Sequence, residues 1–582
     1  MSSRFTLYQS ANEPIPQKAW AWNLYGPGVE NIGRNGRPEL IPIPELNADQ
    51  LLVRIDAVGL CFSDVKLIKQ GGKHPKLYNR NLARNPTRLG HEVSLTVMKV
   101  GEKLKGQFSQ GQRHTIQPDI YQQGKSTAYG YTIPGGLSQF HLIGPEILSA
   151  DAGSYLLPVG EGLSYAEAAL TEPWACVEAA YTQRRRLLPK DGGTMWILGD
   201  PDDATDYRFA SGLEAPAAIV VTDIPAALMN LIAHEIDTTG VSLIERNGLT
   251  TENYPVLRDE FTNGLGFDDI VILNPRSSQM VSEASKLTAR RGTFNLVGHT
   301  ALDGLVMVDV GRIHYDYIAY IGSQGPDIAA SYGETRNRCE LRAGGTALFV
   351  GAGGPMGQMH IQRAIELADG PNQILATDIN PIRLRTLQKR FTTLAEKHGR
   401  RLATFNPETA DGTWYDFVMR RTDSQGADDV IVSVPSAELM AESARVMKPD
   451  GMLVLFAGVP NGTVASLDMS AVYLHNAQFT GTSGSKIIDQ ENIIYQALTG
   501  KLSPIRSVAA IGGLDAAQNG IRAMIEGRFP GKIVIFPQLR DLPLISLANL
   551  KDKLPDVAPY LAPGDVWTVN AEQVLIDKFW TP

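Results

Sequence analysis

The rhythm of apolar positions changes near residue 181. Before it, apolar residues come in short runs such as Leu51-Leu52-Val53-Arg54-Ile55, broken at close intervals by Gly and Pro. That pattern predicts a β-rich region over residues 1–180. After it, apolar strands alternate with helical periodicity, as in βαβ units on a parallel sheet. This second texture occurs twice. Gly192-Gly193-Thr194-Met195-Trp196-Ile197-Leu198-Gly199 returns as Gly344-Gly345-Thr346-Ala347-Leu348-Phe349-Val350-Gly351. Val220-Val221-Thr222-Asp223-Ile224 returns as Leu375-Ala376-Thr377-Asp378-Ile379, and Asp268-Asp269-Ile270-Val271 as Asp428-Asp429-Val430-Ile431. The shared order, at a spacing of about 150–160 residues, predicts a tandem duplication of one Rossmann-like, doubly wound domain. The first copy would span 181–330, the second 331–504, and a C-terminal extension 541–582.

The second copy carries a nucleotide turn. Gly351-Ala352-Gly353-Gly354-Pro355-Met356-Gly357 follows a strand and opens a helix. Its glycines let the backbone approach a pyrophosphate at the helix N-terminus. Asp378 ends the next strand, where an acid would bond a ribose hydroxyl and repel a 2′-phosphate. The expected cofactor is NAD rather than NADP. The equivalent turn of the first copy is Gly199-Asp200-Pro201-Asp202-Asp203. Three carboxylates beside a phosphate repel it, so the first copy is expected to be degenerate and to bind no dinucleotide.

The β-rich region holds candidate metal chemistry: Gly59-Leu60-Cys61-Phe62-Ser63-Asp64, then Gly90-His91-Glu92, then Thr171-Glu172-Pro173. Thiolate, imidazole and carboxylate are the ligand types of a catalytic zinc that keeps one position open. In these motifs, and in their order ahead of a dinucleotide fold, the chain resembles the medium-chain zinc-dependent alcohol and polyol dehydrogenases, in the sorbitol dehydrogenase-like branch. The resemblance implies a GroES-like catalytic domain over 1–180, completed by a return strand at about 505–540 that includes Gly531-Lys532-Ile533-Val534-Ile535. It implies zinc ligands Cys61 and His91, with Glu92 and Glu172 sharing the remaining position, and Ser63 as the residue that relays the alcohol proton. It departs from the family in two places. Residues 112–141 contain no Cys, so the usual four-cysteine structural zinc lobe is excluded, and Lys66 stands where many relatives have His. Both departures, with Gly135-Gly136, most resemble the L-sorbose-1-phosphate reductase subgroup. The implied reaction moves a hydride between NAD(H) and a secondary alcohol or ketone of a polyol, sugar or sugar phosphate.

Charge narrows the substrate. The 582 residues carry a net charge of −8, with 43% hydrophobic and 20% charged residues, which argues against nucleic-acid or membrane-surface partners. Yet from Val65 to Gly90 there is no Asp or Glu, while Lys66, Lys69, Lys73, Lys76, Arg80, Arg84 and Arg88 all fall there. That bias suits an anionic substrate steered by Lys66 and Lys73; a solvated basic loop is the alternative. No apolar run approaches the ~18 residues of a membrane span, no signal peptide is evident, and Cys61, Cys176 and Cys339 make no disulfide framework. A reducing cytoplasm is expected.

Persistence of a degenerate copy calls for a role. Relatives commonly pair Rossmann sheet edges between subunits, and an exposed edge is a liability. The sequence therefore predicts an intramolecular pseudo-dimer in which the first copy covers the edge of the second, further oligomerisation staying open. The competing reading of the first copy is a separate module that binds some other ligand; for the whole chain, the alternative function is a dehydrogenase-like protein that senses nucleotide or regulates without turnover.

Overall fold

The computed structural model describes residues 4–182 and 185–582. Three large sheets organise it. The first is a mixed eight-stranded sheet whose long central strands, Leu51–Gly59 and Glu92–Val100, are antiparallel neighbours. Leu51–Gly59 is buried along its whole length, and its two charged residues, Arg54 and Asp56, are buried as a pair 2.8 Å apart. The distant strand Lys532–Phe536 joins it edge-on, with Val534 opposite Gly59. The final segment adds a further short strand, Ile545–Ser546, to the same sheet.

The other two sheets are six-stranded and wholly parallel. In the first, strands run in the order Ser242–Glu245, Ala218–Thr222, Thr194–Leu198, Phe267–Leu273, Thr288–Val297, Ala319–Ser323. In the second the order is Arg401–Phe405, Gln373–Thr377, Thr346–Val350, Ala427–Val432, Met447–Leu455, Gln478–Gly481. Even the register irregularity recurs, between Phe267 and Asp269 and between Ala427 and Asp429.

The two parallel sheets share one apolar core, which includes Phe294 and Leu296 from the first and Leu453, Leu455 and Phe479 from the second. An antiparallel ribbon links them: Val306–Asp309 pairs with Val464–Leu467. Around it the elements exchange. Helix Ser470–Leu474 packs on the first sheet, so closely that a Cβ on Gly322 would lie 2.7 Å from the Tyr473 Cβ. Helix Val310–Tyr315 packs on the second, where a Cβ on Gly481 would lie 3.2 Å from the His314 Cα. The outer strands Ala319–Ser323 and Gln478–Gly481 both line a cavity of about 60 Å³. Among the described residues each pairs as a strand only within its own sheet, so the two sheets do not merge into one.

The first parallel sheet departs from the second directly after its first strand. In the second, strand Thr346–Val350 leads through the glycine turn into helix Pro355–Glu366. In the first, residues 199–217, all of them described, contain no helix. Tyr207, Phe209 and Leu213 are buried there against Met195, Ile197, Ile219 and Val221. Carboxylates in the turn were the sequence-level reason for degeneracy; the structure adds that the helix whose N-terminus would meet a phosphate is replaced by an aromatic plug.

The C-terminal segment braces the helices Arg4–Ser10 and Tyr165–Ala179. Helix Val569–Phe579 packs against the N-terminal helix Arg4–Ser10, and Trp580 meets Tyr8 edge-on with centroids 4.9 Å apart. The buried carboxylate of Glu572 accepts hydrogen bonds from the amides of Tyr165 and Ala166, the latter at 3.0 Å. Those amides open helix Tyr165–Ala179, where free N–H groups and the helix dipole favour an anion. Glu572→Ala is expected to destabilise the protein by about 1–3 kcal/mol, since a charge-assisted bond and two buried donors lose their partner. An unchanged midpoint in denaturant unfolding would remove this brace from the account.

Candidate metal and nucleotide site

Cys61 lies just past the end of strand Leu51–Gly59, at the first turn of helix Phe62–Gln70. Its position is fixed by Asp64, whose carboxylate accepts the Cys61 amide at 3.1 Å. The same carboxylate accepts the Gly90 amide at 3.3 Å and lies 3.5 Å from His91 Nδ1. One buried Asp therefore ties together two segments that supply the thiol and the imidazole. Glu92 begins the neighbouring strand opposite Gly59, where a Cβ would collide with its carboxylate. Cys61, His91 and Glu92 offer ligand atoms within 4.8 Å of one another, and they form the one such group found among the described residues. Ser63 Oγ is 3.6 Å from Cys61 Sγ.

Glu172 is buried on helix Tyr165–Ala179, outside that tight triad but within its field. Burial pushes its carboxyl up to about 7, with His91 pulling down and Glu92 pushing up. One turn on, Cys176 Sγ is 3.8 Å from Glu172, and burial holds its thiol well above the ordinary range. Lys532 completes the surroundings. Its buried Nζ bonds the Leu60 carbonyl at 2.8 Å and pairs with Glu92. The donor set fits zinc: a thiol, an imidazole and carboxylates, with His91 Nδ1 and Glu92 Oε2 both buried and lacking hydrogen-bond partners.

The glycine turn is equally specific. Gly351 has φ of 75°; a Cβ on Gly353 would lie 2.6 Å from the Arg383 Cβ, and one on Gly357 2.6 Å from the Gly351 carbonyl. Gly354 caps helix Pro355–Glu366 without a side-chain bond, and Gly354, Pro355 and Met356 are partly exposed. Asp378 accepts the Gly353 amide at 2.9 Å and the Asn380 amide at 2.8 Å, so it holds the turn. Closely apposed backbone with exposed helix N–H groups fits a dinucleotide.

The basic stretch divides. Arg80 donates to the carbonyls of Asn85, Thr132 and Pro86, and buried Arg88 donates to Ser138. These are structural donors. Lys73 is exposed on the turn Gly71–Lys73. Exposed Lys66 acts on His74 and on His314, both held low mainly by burial. Lys76 pairs with Asp119 at 2.9 Å and lies over the Tyr131 ring. Sequence reasoning passed over Asp64 and Lys532, although both lie inside quoted motifs; Asp119 and Tyr131 gave no signal of their own.

Residues 47–177 match the alcohol dehydrogenase GroES-like domain. The chain is 29% identical over 323 residues to the mannitol-1-phosphate 5-dehydrogenase of Aliivibrio fischeri, covering 52% of this chain and 74% of that one. It is 27% identical over 329 residues to the L-sorbose 1-phosphate reductase of Klebsiella pneumoniae, covering 53% and 76%. With the D-arabitol-phosphate dehydrogenase of Enterococcus avium it shares 27% over 298 residues, covering 49% and 77%. The matching domain and these relatives support a zinc-type polyol dehydrogenase family for the chain.

Two substitutions probe the site. Cys61→Ser is expected to lower zinc content from about one per chain toward zero and to cut turnover more than about a hundredfold, because the metal loses its thiolate. Full activity in a metal-free Cys61→Ser protein would refute the metal assignment. Gly353→Asp places a carboxylate where no Cβ fits and is expected to weaken NADH binding at least about a hundredfold in a fluorescence titration. Unchanged affinity would exclude this turn as the pyrophosphate site.

Proposed function

We propose that this protein is a zinc-dependent oxidoreductase that moves a hydride between NAD(H) and a secondary alcohol or ketone of a polyol, sugar or sugar phosphate. The observation that carries the reading is the buried Cys61–His91–Glu92 cluster, tied together by Asp64. Cys61 and His91 hold the metal, with Glu92 and Glu172 as the exchangeable carboxylates. Bound there, zinc supplies Lewis acidity to a substrate oxygen, and NAD supplies the hydride acceptor. Lys532 balances the charge of Glu92, and Ser63 stands beside Cys61 to pass a proton between the cluster and solvent. Gly351 to Gly357 and Asp378 seat the cofactor, and Asp378 favours NAD over NADP by repelling a 2′-phosphate. Lys66 and Lys73 steer an anionic substrate. The names of the three relatives, each acting on a phosphorylated polyol or sugar, support that substrate class.

The chain divides into a catalytic domain over 1–180 completed by 505–540, a nucleotide-free Rossmann-like domain over 181–330, an NAD-binding one over 331–504, and the bracing extension 541–582. The exchange of helices across the ribbon supports an intramolecular pseudo-dimer between the two Rossmann-like domains. The three cysteines are unpaired thiols, in keeping with a reducing cytoplasm.

The zinc-loaded protein is expected to reduce NAD with at least one polyol or polyol phosphate, and NADP more slowly. An NADH absorbance screen across both substrate sets checks this. A protein that binds zinc and NAD yet oxidises none of them would be a nucleotide sensor instead.

A further inference from the structure

Both parallel sheets contain the same pair of left-handed corners, furnished with opposite chemistry. In the second sheet, Asp450 (φ 60°) near the start of its strand lies beside Asn476 (φ 55°), and the Asp450 amide bonds the His475 carbonyl at 2.6 Å. In the first sheet, Arg291 (φ 61°) lies beside Tyr317 (φ 55°), and the Arg291 amide bonds the Asp316 carbonyl at 2.7 Å. The strand registers, Thr288 with Phe267 and Met447 with Ala427, make Arg291 the counterpart of Asp450 and Tyr317 that of Asn476. Asp and Asn tolerate left-handed backbone; Arg and Tyr do so at a cost. The second corner is closed on itself, Asn476 bonding Asp450 at 2.7 Å and Arg342 pairing with Asp450. The first keeps the costly geometry with an exposed Arg291 and a half-buried Tyr317. Strain retained in this way is a mark of a functional position.

The first corner is also linked by successive contacts to the surroundings of the Cys61–His91–Glu92 cluster. Tyr317 Oη is 3.1 Å from Ser483 Oγ, in the segment that follows strand Gln478–Gly481. That segment touches the catalytic domain, where Gln117 Nε2 bonds the Ser485 carbonyl at 2.9 Å and Gly484 abuts Asp119. Asp119 pairs with Lys76, Lys76 lies 5.1 Å over the Tyr131 ring, and that ring is 5.9 Å from the ring of His91. A chain of contacts thus runs from the metal-ligand cluster to the Arg291–Tyr317 corner. The Arg291 guanidinium lies 5.0 Å over the Tyr317 ring, and Arg290 is exposed next to it. Arg290 acts on the Tyr121 phenol, which burial and Asp119 raise while Lys76 and Arg290 pull it down.

We propose that Arg290 and Arg291, carried by the nucleotide-free sheet, form with Tyr317 a subsite for the phosphate of a phosphorylated polyol whose carbinol end meets the Cys61–His91–Glu92 cluster. The proposal rests on the dehydrogenase reading and deepens it. Guanidinium groups match phosphate oxygens in paired, charge-assisted hydrogen bonds, and the Tyr hydroxyl adds a donor. The nucleotide-free sheet is then part of the substrate site, and its Arg and Tyr corner has a use that the Asp and Asn corner cannot serve.

The test is calorimetric titration of the zinc-loaded protein, saturated with NADH so that no turnover occurs, with mannitol 1-phosphate and with mannitol as probes. The wild type is expected to prefer the phosphate, and the Arg290→Gln/Arg291→Gln protein to lose that preference by tenfold or more. Arg290→Gln alone, at an exposed position of ordinary backbone, guards against misfolding at the strained corner and is expected to lose part of it. A preference unchanged within twofold in both variants, or a wild type that does not prefer the phosphate, overturns the subsite while leaving the dehydrogenase reading intact. A wild type that binds neither probe defeats that reading, and the subsite falls with it.

Discussion

Packing two parallel sheets around one apolar core decides where every other part of this protein can stand. The core joins Phe294 and Leu296 to Leu453, Leu455 and Phe479, and the ribbon of Val306–Asp309 with Val464–Leu467 fixes their relative direction. Close-packed interiors leave little freedom for sliding. Gly322 and Gly481 sharpen the constraint, because a Cβ would lie 2.7 Å from Tyr473 at the first and 3.2 Å from His314 at the second, closer than ordinary contact. The consequence is asymmetric. The second unit keeps its glycine turn and the helix Pro355–Glu366 that follows it. The first, whose turn is plugged by Tyr207 and Phe209, presents Tyr317 to the segment after the other sheet's last strand.

The metal cluster depends on a second constraint, the cost of burying charge. Carboxylates with low exposure need compensation. Glu92 has Lys532, brought in by a strand more than four hundred residues away in sequence. Glu172 is held largely by burial, a penalty that a bound dication relieves. Asp64 ties the segments bearing Cys61 and His91 together by accepting the Cys61 and Gly90 amides. The helix bearing Glu172 is anchored at its start by Glu572 from the C-terminal segment, so both chain ends contribute to the rigidity of the site.

What the sequence disclosed is what local order encodes. Cys61, His91 and Glu92 lie in short motifs at strand ends, and the turn from Gly351 to Gly357 is read from consecutive residues. The repeat of the strand pattern pointed to two sheets of the same order. Tertiary partnership was not legible. Nothing near Lys532 announces Glu92, and nothing near Asp119 announces Lys76. The acids of residues 200–203 suggested repulsion at a turn, whereas loss of the following helix is decided by how Tyr207, Phe209 and Leu213 pack. The basic run from Lys66 to Arg88 looked uniform, yet hydrogen bonding sets Arg80 and Arg88, which donate to backbone and side-chain oxygens, apart from the exposed Lys66 and Lys73. The edge strands were expected to cover one another, yet each pairs as a strand only within its own sheet.

The central claim is that one chain builds one working site from two unequal Rossmann-like units. The most direct measurement is the stoichiometry of NADH binding to the zinc-loaded protein by calorimetric titration. One NADH per chain, with zinc also at one per chain, is the predicted result. Two NADH per chain would show that the plugged unit binds nucleotide after all and would contradict the account.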